Sequence, residues 1–100
     1  MTRDILIGVD SGTSLIKSVA FTTGGVQLAV VALPNDYATI AGGGVEQDLQ
    51  RTWTDCAATL RQLADKVPNL ASRVIAIGIT AQGDGTWLID KAGELGRAFG

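Results

Sequence analysis

A single carboxylate, a run of glycine and hydroxyl residues and a lysine stand close together near the start of the chain, as Asp10-Ser11-Gly12-Thr13-Ser14 and Lys17. The apolar run Ile5-Leu6-Ile7-Gly8-Val9 leads into Asp10, and Leu15-Ile16 resumes after the small residues. This order fits a strand, a tight turn and a returning strand. Gly12 can take backbone angles closed to other residues. The amides of Gly12, Thr13 and Ser14 can then converge on one anionic oxygen as a backbone nest. Asp10, at the strand end, can hold Mg²⁺ directly or through water, and Lys17 adds a positive charge. Carboxylate, nest, hydroxyl and cation together suit a nucleoside triphosphate. The same residues also fit an ordinary hairpin whose Asp-Ser-Gly supplies only turn chemistry. The rest of the chain has to decide between the two.

Composition removes several alternatives. At 100 residues the chain is one small domain or a piece of a larger one, and 46% hydrophobic residues are enough to build a core. A net charge of −2 argues against a nucleic-acid surface. No apolar run approaches the length of a membrane span, and the opening Met1-Thr2-Arg3-Asp4 makes a poor signal peptide. With no histidine and Cys56 as the sole cysteine, these residues hold no zinc site, no Ser-His or Cys-His pair and no internal disulfide. A reducing cytoplasm is the natural compartment.

Three strands are expected first, at residues 5–10, 15–22 and 26–33, joined by short turns into an antiparallel meander. Thr23-Gly24-Gly25 marks the second turn. Residues 35–47, with Gly42-Gly43-Gly44, read as a loop at a cleft edge or a plain connector. Residues 48–67 read as a helix capped by Asp48 and stopped by Pro68. Leu49, Trp53, Cys56, Leu60, Leu63 and Val67 share one face, which places Trp53 and Cys56 in the core. Val74 to Thr80 is expected to be a fully buried strand, followed by the loop Ala81-Gln82-Gly83-Asp84-Gly85 and a strand from Thr86 to Asp90. A meander followed by a right-handed helical crossover returns the fourth strand parallel to the first. Ligands gather beyond the carboxyl ends of such strands. The loops at Asp10-Ser11-Gly12 and Gln82-Gly83-Asp84 should therefore face one cleft.

Three ordered stretches carry a resemblance. Gly8-Val9-Asp10-Ser11-Gly12-Thr13-Ser14 with Lys17, Val45-Glu46-Gln47-Asp48 before Trp53, and Ile75 to Gly85 resemble the N-terminal part of an FGGY-family carbohydrate kinase. That family sits in the actin-like ATPase superfamily, and Gln82-Gly83-Asp84-Gly85-Thr86-Trp87 looks most like its erythritol-kinase branch. The resemblance implies an α/β, ribonuclease H-like N-terminal subdomain: a mixed sheet with a three-strand antiparallel meander, a crossover helix and a parallel fourth strand. Residues 1–100 would then be the first part of the N-terminal substrate- and phosphate-binding domain. The remainder of that domain, the C-terminal nucleotide domain and the catalytic base would lie beyond position 100.

The activity implied is phosphorylation of a hydroxyl of a small sugar or polyol, with ATP and Mg²⁺ as cofactors. Asp10 matches the metal-associated aspartate. Gly12, Thr13, Ser14 and Lys17 fall in the stretch that approaches the nucleotide phosphates, with Lys17 where glycerol kinases carry arginine. Gln82, Gly83 and Asp84 fall in the loop that contacts the sugar. Glycerol and xylulose kinases read Gln-Arg-Glu-Thr and Gln-Met-His-Gly in that loop, so Gly83 removes a side chain that both place near the substrate. The residues alone also allow Asp84 to cap its own turn. Alone, the fragment should not catalyse. A cytoplasmic protein, with a small-molecule substrate, no nucleic-acid or membrane partner and room for a homodimer, completes the expectation. A nucleotide switch of the same superfamily and a non-catalytic interaction module are the competing readings.

Overall fold

The computed structural model describes residues 2–35, 37–81 and 86–99. Strands β1 (Ile5–Ser11), β2 (Leu15–Thr22) and β3 (Gln27–Pro34) form the expected meander. Alternate residues of β1 and β2 are buried: Ile5, Ile7 and Val9 on one, Ile16, Ser18 and Ala20 on the other. This period of two turns one face of the sheet to the core and the other outward. Helix α1 (Leu49–Lys66) packs on the inner face, followed by one short turn, α2 (Leu70–Arg73). The Asp48 carboxylate accepts the Arg51 N–H at 3.1 Å, which satisfies one of the open donors of the first turn of α1. Strand β6 (Val74–Ala81) then pairs parallel to β1, giving the order β3-β2-β1-β6. A two-pronged Arg73–Asp4 contact, at 3.0 and 3.2 Å, clamps the amino ends of β1 and β6 together. The Arg73 hydrogen bond holds the Asp4 carboxyl below its ordinary range.

A second sheet was not legible beforehand. Strands β4 (Ala38–Thr39), β5 (Val45–Asp48), β7 (Thr86–Ile89) and β8 (Leu95–Phe99) assemble in the order β4-β5-β8-β7. The stretch 35–47, expected to be unpaired loop, thus contains a hairpin. Gly42 and Gly43 sit at φ +87° and +83°, left-handed angles that turn the chain tightly instead of leaving it slack. The Ile40 N–H closes that turn on the Gly44 carbonyl at 2.8 Å.

Two expectations of burial are corrected. Trp53 is 67% exposed, while Thr52 and Thr59 are buried. The face of α1 that meets the sheet runs Leu49, Thr52, Cys56, Thr59, Leu63 at helical spacing, rotated from the all-apolar stripe. The rotation satisfies hydroxyls: Ser18 Oγ and Thr59 Oγ1 share a 2.7 Å hydrogen bond where neither reaches water. The second correction concerns β6, whose Ile75, Ile77 and Ile79 lie open to solvent instead of buried on both faces. It is the edge of its sheet, and α1 packs over β2 and β3 more than over β1.

Leu63 is fully buried in the core with Ile7, Val9 and Val31. Its replacement by alanine is expected to lower the unfolding free energy by about 2–5 kcal/mol. Trp53→Ala should cost less than about 0.5 kcal/mol, as surface changes usually do. Urea denaturation of both variants checks the orientation of α1, since equal losses would return Trp53 to the core.

Candidate functional site

The β1–β2 hairpin carries all five of the first group of expected residues. Asp10, the penultimate residue of β1, stands on the face turned away from α1, and its register partners are Lys17 on β2 and Thr80 on β6. Aspartate, lysine and threonine therefore stand in one row across three strands. They rim an open hollow of about 470 Å³ that also includes Gly8, Gly78, Val19 and Phe21. Thr80 was outside the expected set, and parallel pairing alone brings it to Asp10.

Gly12, Thr13 and Ser14 connect the strands. The reason for Gly12 differs from the expected one. It is absent from the positive-φ glycines of the described residues, and its need is steric. A Cβ at position 12 would lie 3.0 Å from the Leu15 carbonyl oxygen, a backbone atom that cannot swing aside. The Gly12 N–H is already committed to that oxygen at 2.9 Å, so it is not part of a nest.

The three loop carbonyls are each held from outside. The Asn35 side-chain amide donates to Gly12 O at 2.8 Å, the Gln47 amide to Thr13 O at 3.2 Å, and the Asn35 backbone N–H to Ser14 O at 2.9 Å. Asn35 in turn accepts from the Thr52 hydroxyl of α1 at 3.4 Å. Neither Asn35 nor Thr52 was foreseen. The available signals were a polar residue directly after Pro34 and a threonine on the inward phase of the helix.

A groove of about 580 Å³ runs on the opposite face of the sheet, between Trp53, Cys56 and Leu60 of α1 and Ile77 and Ile79 of β6. Burial pushes the Cys56 thiol up, opposed by a hydrogen bond from Ser11 and aided by Asp55. Strand β6 ends at Ala81, opposite Ser11. The expected substrate residues Gln82, Gly83 and Asp84 lie outside the described residues.

The donor chemistry suits Mg²⁺ held with a nucleotide. Among the described residues no three acidic, histidine or cysteine side chains cluster into a protein metal cage. Mg²⁺ needs none, since it keeps waters and is bound through one or two carboxylates plus substrate phosphates. Asp10, exposed beside the loop, can supply that one carboxylate.

The fold, with its parallel β1–β6 pair joined through a helix, is shared with solved xylulose kinases. The xylulose kinase from Rhodospirillum rubrum superposes with a TM-score of 0.86 at 23% identity, covering 95% of this chain and 20% of that one. Residues 5–98 match the N-terminal domain of the FGGY family of carbohydrate kinases, and the chain belongs to that family. Over 88 residues it is 52% identical to the erythritol kinase of Brucella abortus (strain 2308), covering 88% of this chain and 17% of that protein. It is 32% identical over 94 residues to the L-xylulose/3-keto-L-gulonate kinase of Escherichia coli (strain K12), covering 93% and 19%. The chain thus spans less than a fifth of the length of these two curated relatives.

A raised thiol pKa leaves less thiolate at any given pH. Cys56 should therefore react with a thiol reagent at pH 8 more slowly than free cysteine. Its rate should keep climbing past the ordinary thiol range of ~8.5. A rate equal to that of free cysteine would contradict the burial of the thiol against β1. For Gly12→Ala, the loop must shift by a few tenths of an ångström or more. Faster hydrogen exchange at residues 12–15 is the expected readout.

Proposed function

We propose that the whole protein transfers the terminal phosphoryl group of ATP to a hydroxyl of a small polyol of the erythritol class. The observation that carries this reading is the 52% identity to a relative named erythritol kinase over nearly the whole chain. The placement of Asp10, Lys17 and the 12–14 loop on one hairpin supports it. In this reading residues 1–100 are the first part of the N-terminal domain. The rest of that domain, the nucleotide domain and the base belong to the remaining length seen in the relatives.

Asp10 would hold Mg²⁺, which supplies charge neutralisation for the phosphates when bound. Gly12 lets the backbone approach, Thr13 and Ser14 line the phosphates, and Lys17 adds a cation across the strand from Asp10. Gln82 and Asp84 bind the polyol: a carboxylate accepts from vicinal hydroxyls, while the amide both donates and accepts. Gly83 leaves room beside them. The proposed use of MgATP fits a cytoplasmic protein. A homodimer is part of the same proposal. Sedimentation of the full-length protein tests it.

The full-length protein, given MgATP, should phosphorylate erythritol or a related tetritol faster than glycerol, pentitols or pentuloses. Product mass and ADP release are the measurements. Phosphorylation of none of them overturns the proposal, and ATP hydrolysis indifferent to polyol favours a nucleotide switch. Asp10→Ala should lower kcat by about 10²-fold or more with little change in polyol KM. Asp84→Ala should do the reverse, raising polyol KM by about tenfold or more.

A further inference from the structure

We propose that Asn35 is a positioning residue for the 12–14 loop, setting the direction of its amides so that they receive an anionic oxygen. The identity of that oxygen, on a nucleotide phosphate, rests on the kinase reading above. Asn35 follows β3 and is only 4% exposed. It reaches the loop twice: its side-chain amide takes the Gly12 carbonyl at 2.8 Å and its backbone N–H takes the Ser14 carbonyl at 2.9 Å. Gln47 takes the carbonyl between them at 3.2 Å.

No peptide bond among the described residues is cis. In a trans peptide the N–H lies opposite the preceding carbonyl. Holding the carbonyls of Gly12, Thr13 and Ser14 therefore fixes where the N–H groups of Thr13, Ser14 and Leu15 point. The clamp comes from the α1 side of the sheet, because Asn35 also accepts from Thr52 at 3.4 Å. Asp10 stands on the other face, beside Lys17 and Thr80. The amides are thus directed away from the groups that hold the carbonyls.

The side-chain chemistry is specific. An asparagine supplies a donor to the loop and an acceptor to the helix from a single group, whereas an aspartate loses the donor and a leucine loses both. The same helix face meets the hairpin at a further point, Ser18 to Thr59.

Asn35→Asp, Thr52→Val and Thr52→Ser in the full-length protein test the proposal. The readouts are hydrogen exchange at residues 12–15 without ligand, steady-state kinetics in MgATP and in polyol, and the melting temperature. For Asn35→Asp, loop exchange should rise and kcat/KM for MgATP should fall about tenfold, the worth of one buried hydrogen bond. Polyol KM should stay within about twofold, and Thr52→Ser should restore what Thr52→Val loses. Unchanged loop exchange overturns the proposal. So do losses in MgATP and polyol parameters that move together with the melting temperature. If Asn35→Asp does not fold, Thr52→Val against Thr52→Ser decides on the same readouts. If the unmodified protein phosphorylates no polyol, the kinase reading fails by itself, and the exchange comparison still decides the role of Asn35.

Discussion

The hydrogen bond between Ser18 and Thr59 is the contact on which the rest of the architecture depends. Both hydroxyls are fully buried and 2.7 Å apart. Thr59 Oγ1 donates to the Cys56 carbonyl at 2.7 Å and accepts from Ser18, so removing the Thr59 hydroxyl would take the partner of the buried Ser18, at a cost of about 1–3 kcal/mol. The pair therefore determines which face of α1 lies on the sheet. Once that face is down, Thr52 is carried to Asn35. The helix is held to the sheet side through polar contacts at two heights, with Leu49 and Leu63 supplying apolar burial in the same stripe. Apolar packing alone would tolerate a modest rotation of the helix, whereas directed hydrogen bonds do not.

From that rigid contact the chemistry at the strand ends follows. Asp10 needs a strand that ends at a fixed point, and β1 is fixed on one side by β2 and on the other by β6. Parallel pairing puts Thr80 beside Asp10 and brings the end of β6 to Ser11. The sheet has two unlike faces at this end. One is tied to α1 through Asn35 and Thr52, and the other presents Asp10, Lys17 and Thr80. In the proposed reading, separating the anchoring groups from those that would face phosphate lets the loop be stiff without filling the space a phosphate would take.

Much of this was legible from residue order. The meander, the helix and the parallel return were readable because each has a local period or a turn signal: alternation in β1 and β2, Thr23-Gly24-Gly25, Asp48 as cap and Pro68 as stop. The hairpin residues Asp10, Gly12, Thr13, Ser14 and Lys17 were readable because they are contiguous. What failed depends on distant partners. Thr52 and Thr59 were absent from the expected buried face because their partners, Asn35 and Ser18, are 17 and 41 residues away. The second sheet joins β5 to β8 across the whole crossover, so no local signal reports it. Strand β6 is apolar enough for burial on both faces, and among the described strands it pairs with β1 alone, which composition does not carry.

The central claim is that the 12–14 loop is a phosphate site with Asp10 at its metal. A crystal structure of the full-length protein with Mg²⁺ and a non-hydrolysable ATP analogue measures it directly. The predicted result is a phosphate oxygen at about 3 Å from the backbone nitrogen of Thr13 or Ser14, a hydrogen-bond distance. Mg²⁺ should then lie on Asp10, at about 2.1 Å directly or through one water. A nucleotide bound with its phosphates and metal elsewhere, leaving this loop and Asp10 without contact to either, would contradict it.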